Sequence, residues 1–350
     1  MSWVESEEAI GRVDELLAQV GLGHGRRKTL AGTWEAGERR GRSKPGAVNA
    51  QSVRRVTVVR AVGWDKLAWL RHGFSTRAGG VSSIHGQGSL NLGFTKEDQA
   101  ANVAENRRRL LRTALGGTAK LLTLRQIHSG LIRTIEARDG ALEGRMESAD
   151  GRAVLRGDGM MTDVPGVMLG VQVADCVPVL VADVRRRAVA AFHAGWRGTL
   201  KRIVERGIGT MRLRYGSRPE DLVAAVGPSI GACCYSVGEE LRHEFESQFA
   251  YAPELFSEVY DSDPVRDKYP LLFLTARAPG HSNIGPQIHL DLWEANRRQL
   301  LDAGLKEKRI TVVGECTACA RVKGGGLKYF SHRGESGFAG RMLGVVGVAG

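Results

Sequence analysis

No stretch of the sequence is apolar over the length a bilayer crossing needs, and the opening MSWVESEEAIGRVDELLAQVGLG has neither a basic start nor a continuous apolar run. A membrane span and a secretion signal are therefore not expected, and the cytoplasm is the expected compartment. Cysteine is scarce. Cys176, Cys233, Cys234, Cys316 and Cys319 are an odd number of thiols without an export signal, which argues against a disulfide framework. Aromatic residues are few as well, at 6% of the chain, and none of the basic stretches interleaves rings in the manner of a nucleic-acid platform. What the chain does have is apolar content, 42% of 350 residues, enough to bury the core of one large domain or two ordinary ones.

The net charge of +12 is unevenly distributed, with ten Lys and Arg between Arg26 and Arg60 against Glu35 and Glu38. This segment reads as a solvated arm. A polyanion-binding role for ERRGRSK would make binding salt-sensitive, but no zinc-finger or RNA-recognition pattern accompanies it, so nucleic acid is not the expected partner.

Ser2 and Glu5 have capping-box spacing, and Val13, Leu16, Leu17 and Val20 share a helical face, which predicts a short N-terminal helix followed by a Gly/Arg/Ser linker up to residue 52. The main domain is placed at residues 53–350. Within it RRVTVVRAVGW alternates like a strand, ANVAENRRRLLRTAL reads as helix, and GVMLGVQVADCVPVLVADVRRRAVAAFHAG is a series of apolar strands broken at ADC and at the charged turn DVRRR. Leu200, Ile203, Val204 and Ile208 then form one helical stripe, placing Gly195 to Gly198 at a strand-to-helix junction. DLVAAVGPSIG, RITVVGECTAC and RMLGVVGV supply further strands and HLDLWEANRRQLLDAGL a helix, with an irregular insertion at about residues 253–286. Mixed strands and helices indicate an α/β or α+β architecture.

His128 in RQIHS, Cys176 in VADCVP and His193 in AFHAGW stand at the ends of apolar segments. Two imidazoles and a thiolate can hold zinc and leave a fourth position for water, the open arrangement of a catalytic site, and with a weak axial ligand the same trio suits copper. Cys176 and His193 alone could instead form a thiolate–imidazole dyad for nucleophilic chemistry, since DVRRR allows their two strands to pair antiparallel. On composition alone the balance favours a small buried cysteine and satisfied strand-end histidines. Ser75, Thr76 and Arg77 beside Gly79 and Gly80, and Arg197 at a helix start, could grip an anion such as phosphate, although taken singly each reads more readily as a turn with a solvated charge. For Cys233 with Cys234, and for Cys316 with Cys319 in CTAC, buried thiols are expected rather than a second zinc site, because vicinal cysteines do not readily share one metal. The H-x-E and P-C-x-x-C pattern of cytidine deaminases is absent.

Taken together, HGFSTRAGGVSS, SLNLGF, RQIHS, TDVPGVMLGVQVADCVPVLVAD, AAFHAGWRG, AAVGPSIGACCYSVGEE and YFSHRGESGFAGRM resemble the laccase-domain family of the YfiH type, long labelled multicopper polyphenol oxidases and now understood as purine nucleoside phosphorylases. The resemblance covers about residue 70 to the C-terminus. It implies an α/β sandwich of mixed strands flanked by helices. It also implies a transferase that cleaves adenosine, inosine and methylthioadenosine with phosphate, with a hydrolase activity that deaminates adenosine to inosine. The implied cofactor is zinc, copper being the alternative, with His128, Cys176 and His193 as both metal ligands and catalytic residues. Ser75, Arg77, Asn91 and Arg197 fall on motif positions implied to handle phosphate and nucleoside, and the expected assembly is a monomer or homodimer. One departure is SHRGESG, where relatives often carry a tyrosine and a second arginine after the serine. A phenol oxidase with several coppers would need more histidines than the nine of this chain supply around the trio.

Overall fold

The segment Val177 to Asp183 reads VPVLVAD, apolar at nearly every position, as a strand covered on both faces must be. A computed structural model, which describes residues 55–114, 119–136, 147–148, 151–259 and 287–350, shows how that double burial arises. The helix and linker expected over residues 1–52, and most of the insertion expected at 253–286, lie outside the described residues.

In chain order the strands are β1 (Val58–Val59), β2 (Leu70–Ser75), β3 (Ala78–Ser82), β4 (Lys120–Thr123), β5 (Ile132–Ile135), β6 (Gly159–Thr162), β7 (Val167–Val173), β8 (Val177–Asp183), β9 (Val189–Ala194), β10 (Leu222–Val226), β11 (Ser236–Val237), β12 (Phe256–Val259), β13 (Gln287–Leu290), β14 (Ile310–Val312) and β15 (Met342–Val348). The helices are α1 (Ala100–Arg109), α2 (Trp196–Leu200), α3 (Ile203–Tyr215), α4 (Glu239–Glu246) and α5 (Leu292–Asp302). Five strands form one sheet in the order β1-β2-β15-β7-β4, six form a second in the order β14-β10-β8-β9-β6-β5, and β11-β13-β12 make a small third sheet. The pairs β4–β7, β5–β6 and β10–β14 are parallel and the other ladders antiparallel, so both large sheets are mixed.

Alternation along the strands divides the core. Leu180 and Ala182 of β8 and Val189 and Ala191 of β9 face Phe74, Leu169, Val171 and Val346 of the other large sheet, forming the interior of a two-sheet sandwich. Val179, Val181, Ala190 and Phe192 point the opposite way, against Ile203, Val204, Ile208 and Met211 of α3 and Leu292, Ala295 and Leu300 of α5. The result is the expected α/β sandwich, helices covering the outer face of the larger sheet.

The β8–β9 hairpin closes as DVRRR predicts. Asp183 Oδ1 accepts the backbone N–H groups of Arg185 (2.9 Å) and Arg186 (2.8 Å), and Arg187 takes a left-handed φ of 56°. The register pairs Val177 with Ala194 and Pro178 with His193. That pairing carries Cys176 and His193 to the same open end of the sheet.

Three expectations need correction. The helical stripe after Gly195 is split into α2 and α3, because Arg202 adopts a left-handed φ of 53° while its guanidinium donates to Glu205 (2.9 Å) and the Gln248 carbonyl (2.8 Å). The stripe itself, Leu200, Ile203, Val204 and Ile208, is buried as expected. Residues 253–259, placed in the irregular insertion, form a 3-10 turn and then β12, which pairs with β13 from Phe256↔Leu290 to Val259↔Gln287. Finally, RRVTVVRAVGW contributes only the short β1, since Ala61 to Lys66 turn away into a 3-10 helix.

Candidate active site

His193 lies near the end of β9 on the sandwich-facing side, 4% exposed. Cys176 comes from the tight connection between β7 and β8, and His128 from a turn after β4 in which it holds a left-handed φ of 55°. A ligand atom from each of the three residues lies within 4.8 Å of the others, so the structure brings together the trio whose residues are far apart in sequence.

Asp158, fully buried just before β6, organises this convergence. Its Oδ1 lies 2.9 Å from His193 Nδ1, leaving the imidazole Nε2 as the ligand atom. The same carboxylate accepts the backbone N–H groups of Ile127 (3.2 Å), His128 (3.0 Å) and Ser129 (2.7 Å) and the Ser129 hydroxyl (2.7 Å). A single buried anion thus orients one histidine and folds the turn that carries the other. Burial disfavours the Asp158 charge, but the bonds from His193 and Ser129 outweigh it and hold the carboxyl well below the usual range.

Burial raises the Cys176 thiol, yet the positive charge on His193 and the bonds from His128 and His193 bring it down to about 6. His193, lowered by burial, is carried by the Cys176 thiolate and Asp158 up to about 9. The thiolate and the imidazolium each favour the other's charged form. This donor set fits a borderline-soft divalent ion well: one anionic sulfur and two imidazole nitrogens, one of them backed by a carboxylate.

The trio opens into a cleft of about 690 Å³. Its walls carry four guanidinium-bearing residues, Arg107, Arg125, Arg152 and Arg341, together with Phe94, Gln126, Gln172 and His332. Arg107 is buried, donates to the Leu92 carbonyl (3.0 Å) and stacks 4.6 Å from the Phe94 ring. Burial pushes it down to about 10, so it remains a cation at neutral pH. Gln126 is fixed at both ends of its amide by the backbone of Gln172, at 2.8 and 2.7 Å. His332, which stands in the departing SHRGESG loop, reaches the cleft wall.

The other anticipated contacts lie away from the cleft lining, and three of the four are bonded within the framework. The Ser75 hydroxyl accepts Leu343 N–H (3.0 Å) between two strands. Arg77 pairs with Glu335 (3.0 Å), donates to the carbonyls of His85 (3.0 Å) and Tyr329 (3.3 Å), and stacks on Phe330 (4.7 Å). Asn91 is fully buried and bonds to Asp98 (2.8 Å), to Gly93, and to the backbone N–H of Arg341 (2.9 Å), so it positions a cleft residue without lining the cleft. Arg197 is exposed, with its guanidinium 4.0 Å over Trp196. None of these four lines the cleft.

Asp175, beside the site, had no role in the sequence reading, and Gly195 had only its place at the strand-to-helix junction. Asp175 takes a left-handed φ of 91°, and its carboxylate accepts the Thr317 hydroxyl (2.7 Å) and the Arg333 backbone N–H (2.6 Å), pinning the residue before Cys176 to two C-terminal loops. Gly195 follows β9 at a position where an added Cβ would come within 2.7 Å of Cys176 Sγ. The missing side chain at Gly195 therefore leaves room for the Cys176 thiol.

The expectation of four buried thiols elsewhere is corrected. Cys233 and Cys319 are exposed, Cys234 is half-buried, only Cys316 is buried, and their sulfurs converge within 4.8 Å.

Residues 71–349 match the family model described as multi-copper polyphenol oxidoreductase laccase. The chain is 33% identical over 288 residues to "Purine nucleoside phosphorylase YlmD" of Geobacillus stearothermophilus, covering 80% of this chain and 94% of that protein. It is 30% identical over 246 residues to "Adenosine deaminase RL5" of an unknown prokaryotic organism, covering 70% of this chain and 84% of that one. Among solved structures, the Bacillus licheniformis protein YfiH superposes with a TM-score of 0.66 at 28% identity, over 82% of this chain and 94% of the other.

Proposed function

The chain belongs to the multi-copper polyphenol oxidoreductase laccase family, and on that premise we propose that it is an enzyme acting on purine nucleosides, a phosphorylase that also deaminates adenosine. The observation that carries this reading is the placement of the His128, Cys176 and His193 donor set in a cleft walled by four arginines. Soft metal donors and a cluster of guanidinium groups together suit a substrate pair of nucleoside and phosphate.

Phosphorolysis forms a bond from a phosphate oxygen to the ribose anomeric carbon and breaks the bond from that carbon to the purine nitrogen, which must gain a proton. Arg107 and Arg341 hold the phosphate dianion, and Arg107, being buried, binds it more strongly than a solvated arginine would. Holding phosphate in line with the anomeric carbon removes the entropy cost of the encounter. Deamination adds water at the purine six-position and releases ammonia. His128, Cys176 and His193 would hold a zinc ion, with Asp158 fixing the His193 tautomer. When bound, zinc supplies a Lewis acid and lowers the pKa of water toward neutrality. Adenosine, inosine and methylthioadenosine share the ribose and purine this cleft would take.

Incubation of the purified protein with adenosine tests the reading. Adenine and ribose 1-phosphate are expected with phosphate present, and inosine and ammonia without it. Formation of neither adenine nor inosine overturns the proposal. Dioxygen uptake with a phenol, together with copper in the purified protein, would favour oxidase chemistry instead. Among the described residues the trio is the only histidine-containing cluster of metal donors, which is too few for several coppers.

A further inference from the structure

The second donor cluster lies outside the cleft and is built from two loops. One follows β10 and turns tightly at Gly231 to Cys234, where the Cys234 N–H donates to the Gly231 carbonyl (2.9 Å). The other follows β14 and turns through CTAC, with Ala320 N–H donating to the Cys316 carbonyl (2.9 Å). Because β10 and β14 are parallel neighbours, both loops leave the same end of the sheet, and a bridge between Ser229 and Cys316 keeps them side by side.

The turn removes the objection to a vicinal pair. In an extended chain adjacent side chains diverge, whereas here the sulfurs of Cys233, Cys234, Cys316 and Cys319 all lie within 4.8 Å of one another. Cys233 Sγ and Cys319 Sγ are 3.7 Å apart, and Gly231 N–H donates to Cys316 Sγ at 3.3 Å. A tetrahedral zinc ion with zinc–sulfur bonds of about 2.3 Å sets its ligand sulfurs about 3.8 Å apart. No disulfide links them; all four are free thiols.

We propose that Cys233, Cys234, Cys316 and Cys319 form a closed four-thiolate zinc site that ties the loop after β10 to the loop after β14. Binding exchanges the thiol protons for the ion, releasing them to solvent with no change of oxidation state, and leaves no position open for substrate. The site is structural. Its consequence reaches the cleft through Asp175, whose backbone carbonyl accepts Ile230 N–H (2.9 Å) from the first loop and whose carboxylate accepts Thr317 Oγ1 (2.7 Å) from the second. Locking the two loops together therefore holds the residue next to Cys176.

This inference does not depend on the nucleoside reading, and its test does not use activity. In a His128→Ala/Cys176→Ala variant of the full chain, purified under reducing conditions and supplied with zinc, one equivalent of zinc should remain, with an X-ray absorption spectrum showing four sulfur neighbours. Adding Cys316→Ser and Cys319→Ser should remove that equivalent. Should the quadruple variant not fold, thiol titration of the wild-type chain decides. Zinc should protect the four cysteines from a chromogenic thiol reagent, and a chelator should expose them. Absence of metal with all four thiols reactive, hydrogen loss in the intact mass showing disulfides, or iron with visible charge-transfer bands would each overturn the proposal.

Discussion

Asp158 Oδ1 lies 2.9 Å from His193 Nδ1, and the same buried carboxylate gathers the N–H groups of Ile127, His128 and Ser129. Replacing it by asparagine keeps the shape but removes the anion. Asp158→Asn should lower metal affinity at the trio by about 10 to 100-fold, the usual effect of losing a carboxylate behind a ligating histidine. Competition with a chromophoric chelator measures it. Unchanged affinity would mean that the carboxylate only folds the turn.

Gly195→Ala addresses the space around the thiol. The new Cβ would meet Cys176 Sγ at 2.7 Å, and the neighbouring backbone is the end of a buried strand, so relief must come from moving the ligand. Loss of the bound metal with a native circular dichroism spectrum is expected. Gly209→Ala, in α3 with nothing within 4 Å of its Cβ, is the control. There the better helix former should stabilise the fold by about 0.5–1 kcal/mol. Metal retained in Gly195→Ala at wild-type affinity would contradict the geometry.

Chelation offers a direct view of Cys176. Once a chelator strips the metal, the freed thiolate lines the cleft and should be alkylated by iodoacetamide, with zinc restoring protection. Peptide mapping separates Cys176 from the other four thiols. Equal labelling of its peptide with and without zinc would remove it from the ligand set.

The hairpin that brings Cys176 to His193 was legible in the sequence because DVRRR announces its own turn and the flanking apolar runs fix the register. Asp158 was not, since an aspartate in RGDGMM gains its role only from a strand neighbour far along the chain. Arg107 and Arg341 were hidden for the same reason. Ser75, Arg77 and Asn91 show the converse: polar residues in prominent motifs whose bonding capacity is taken up by strands and loops. The cysteine cluster could not be read from CC and CTAC, because only the parallel pairing of β10 with β14 makes them neighbours.

Stability should fall with acid through His72. This residue is 1% exposed, accepts the Ala61 N–H (3.1 Å) and packs against Trp64, their ring centroids 5.0 Å apart. Burial first, then Arg60, lowers it from 6.5 to about 4. The unfolded chain therefore binds the proton first, so this contribution is intact above about pH 6.5 and is lost as pH falls toward 4. The shift corresponds to about 3 kcal/mol. Urea unfolding followed by tryptophan fluorescence at pH 7 and pH 4.5 should show the loss, and His72→Gln should flatten it. An equally steep acid loss in His72→Gln would assign the effect elsewhere.

The cleft arginines separate the two proposed reactions. Arg341 is held by Asn91 through its backbone N–H and by the Ala339 carbonyl (2.6 Å) through its guanidinium, so its removal alters the cleft wall more than the core. A charge-assisted bond to phosphate contributes about 1.5–3 kcal/mol, which corresponds to about a 10 to 100-fold rise in the phosphate KM of Arg341→Ala. Deamination uses water and no phosphate, so inosine formation without phosphate should stay close to wild type. Asn91→Ala, by contrast, leaves buried partners of the framework unsatisfied and should lower stability by about 1–3 kcal/mol, seen as an earlier thermal transition. If Arg341→Ala depresses both reactions equally, the guanidinium serves the shared nucleoside and not the phosphate, and the anion must be sought at Arg107, Arg125 or Arg152.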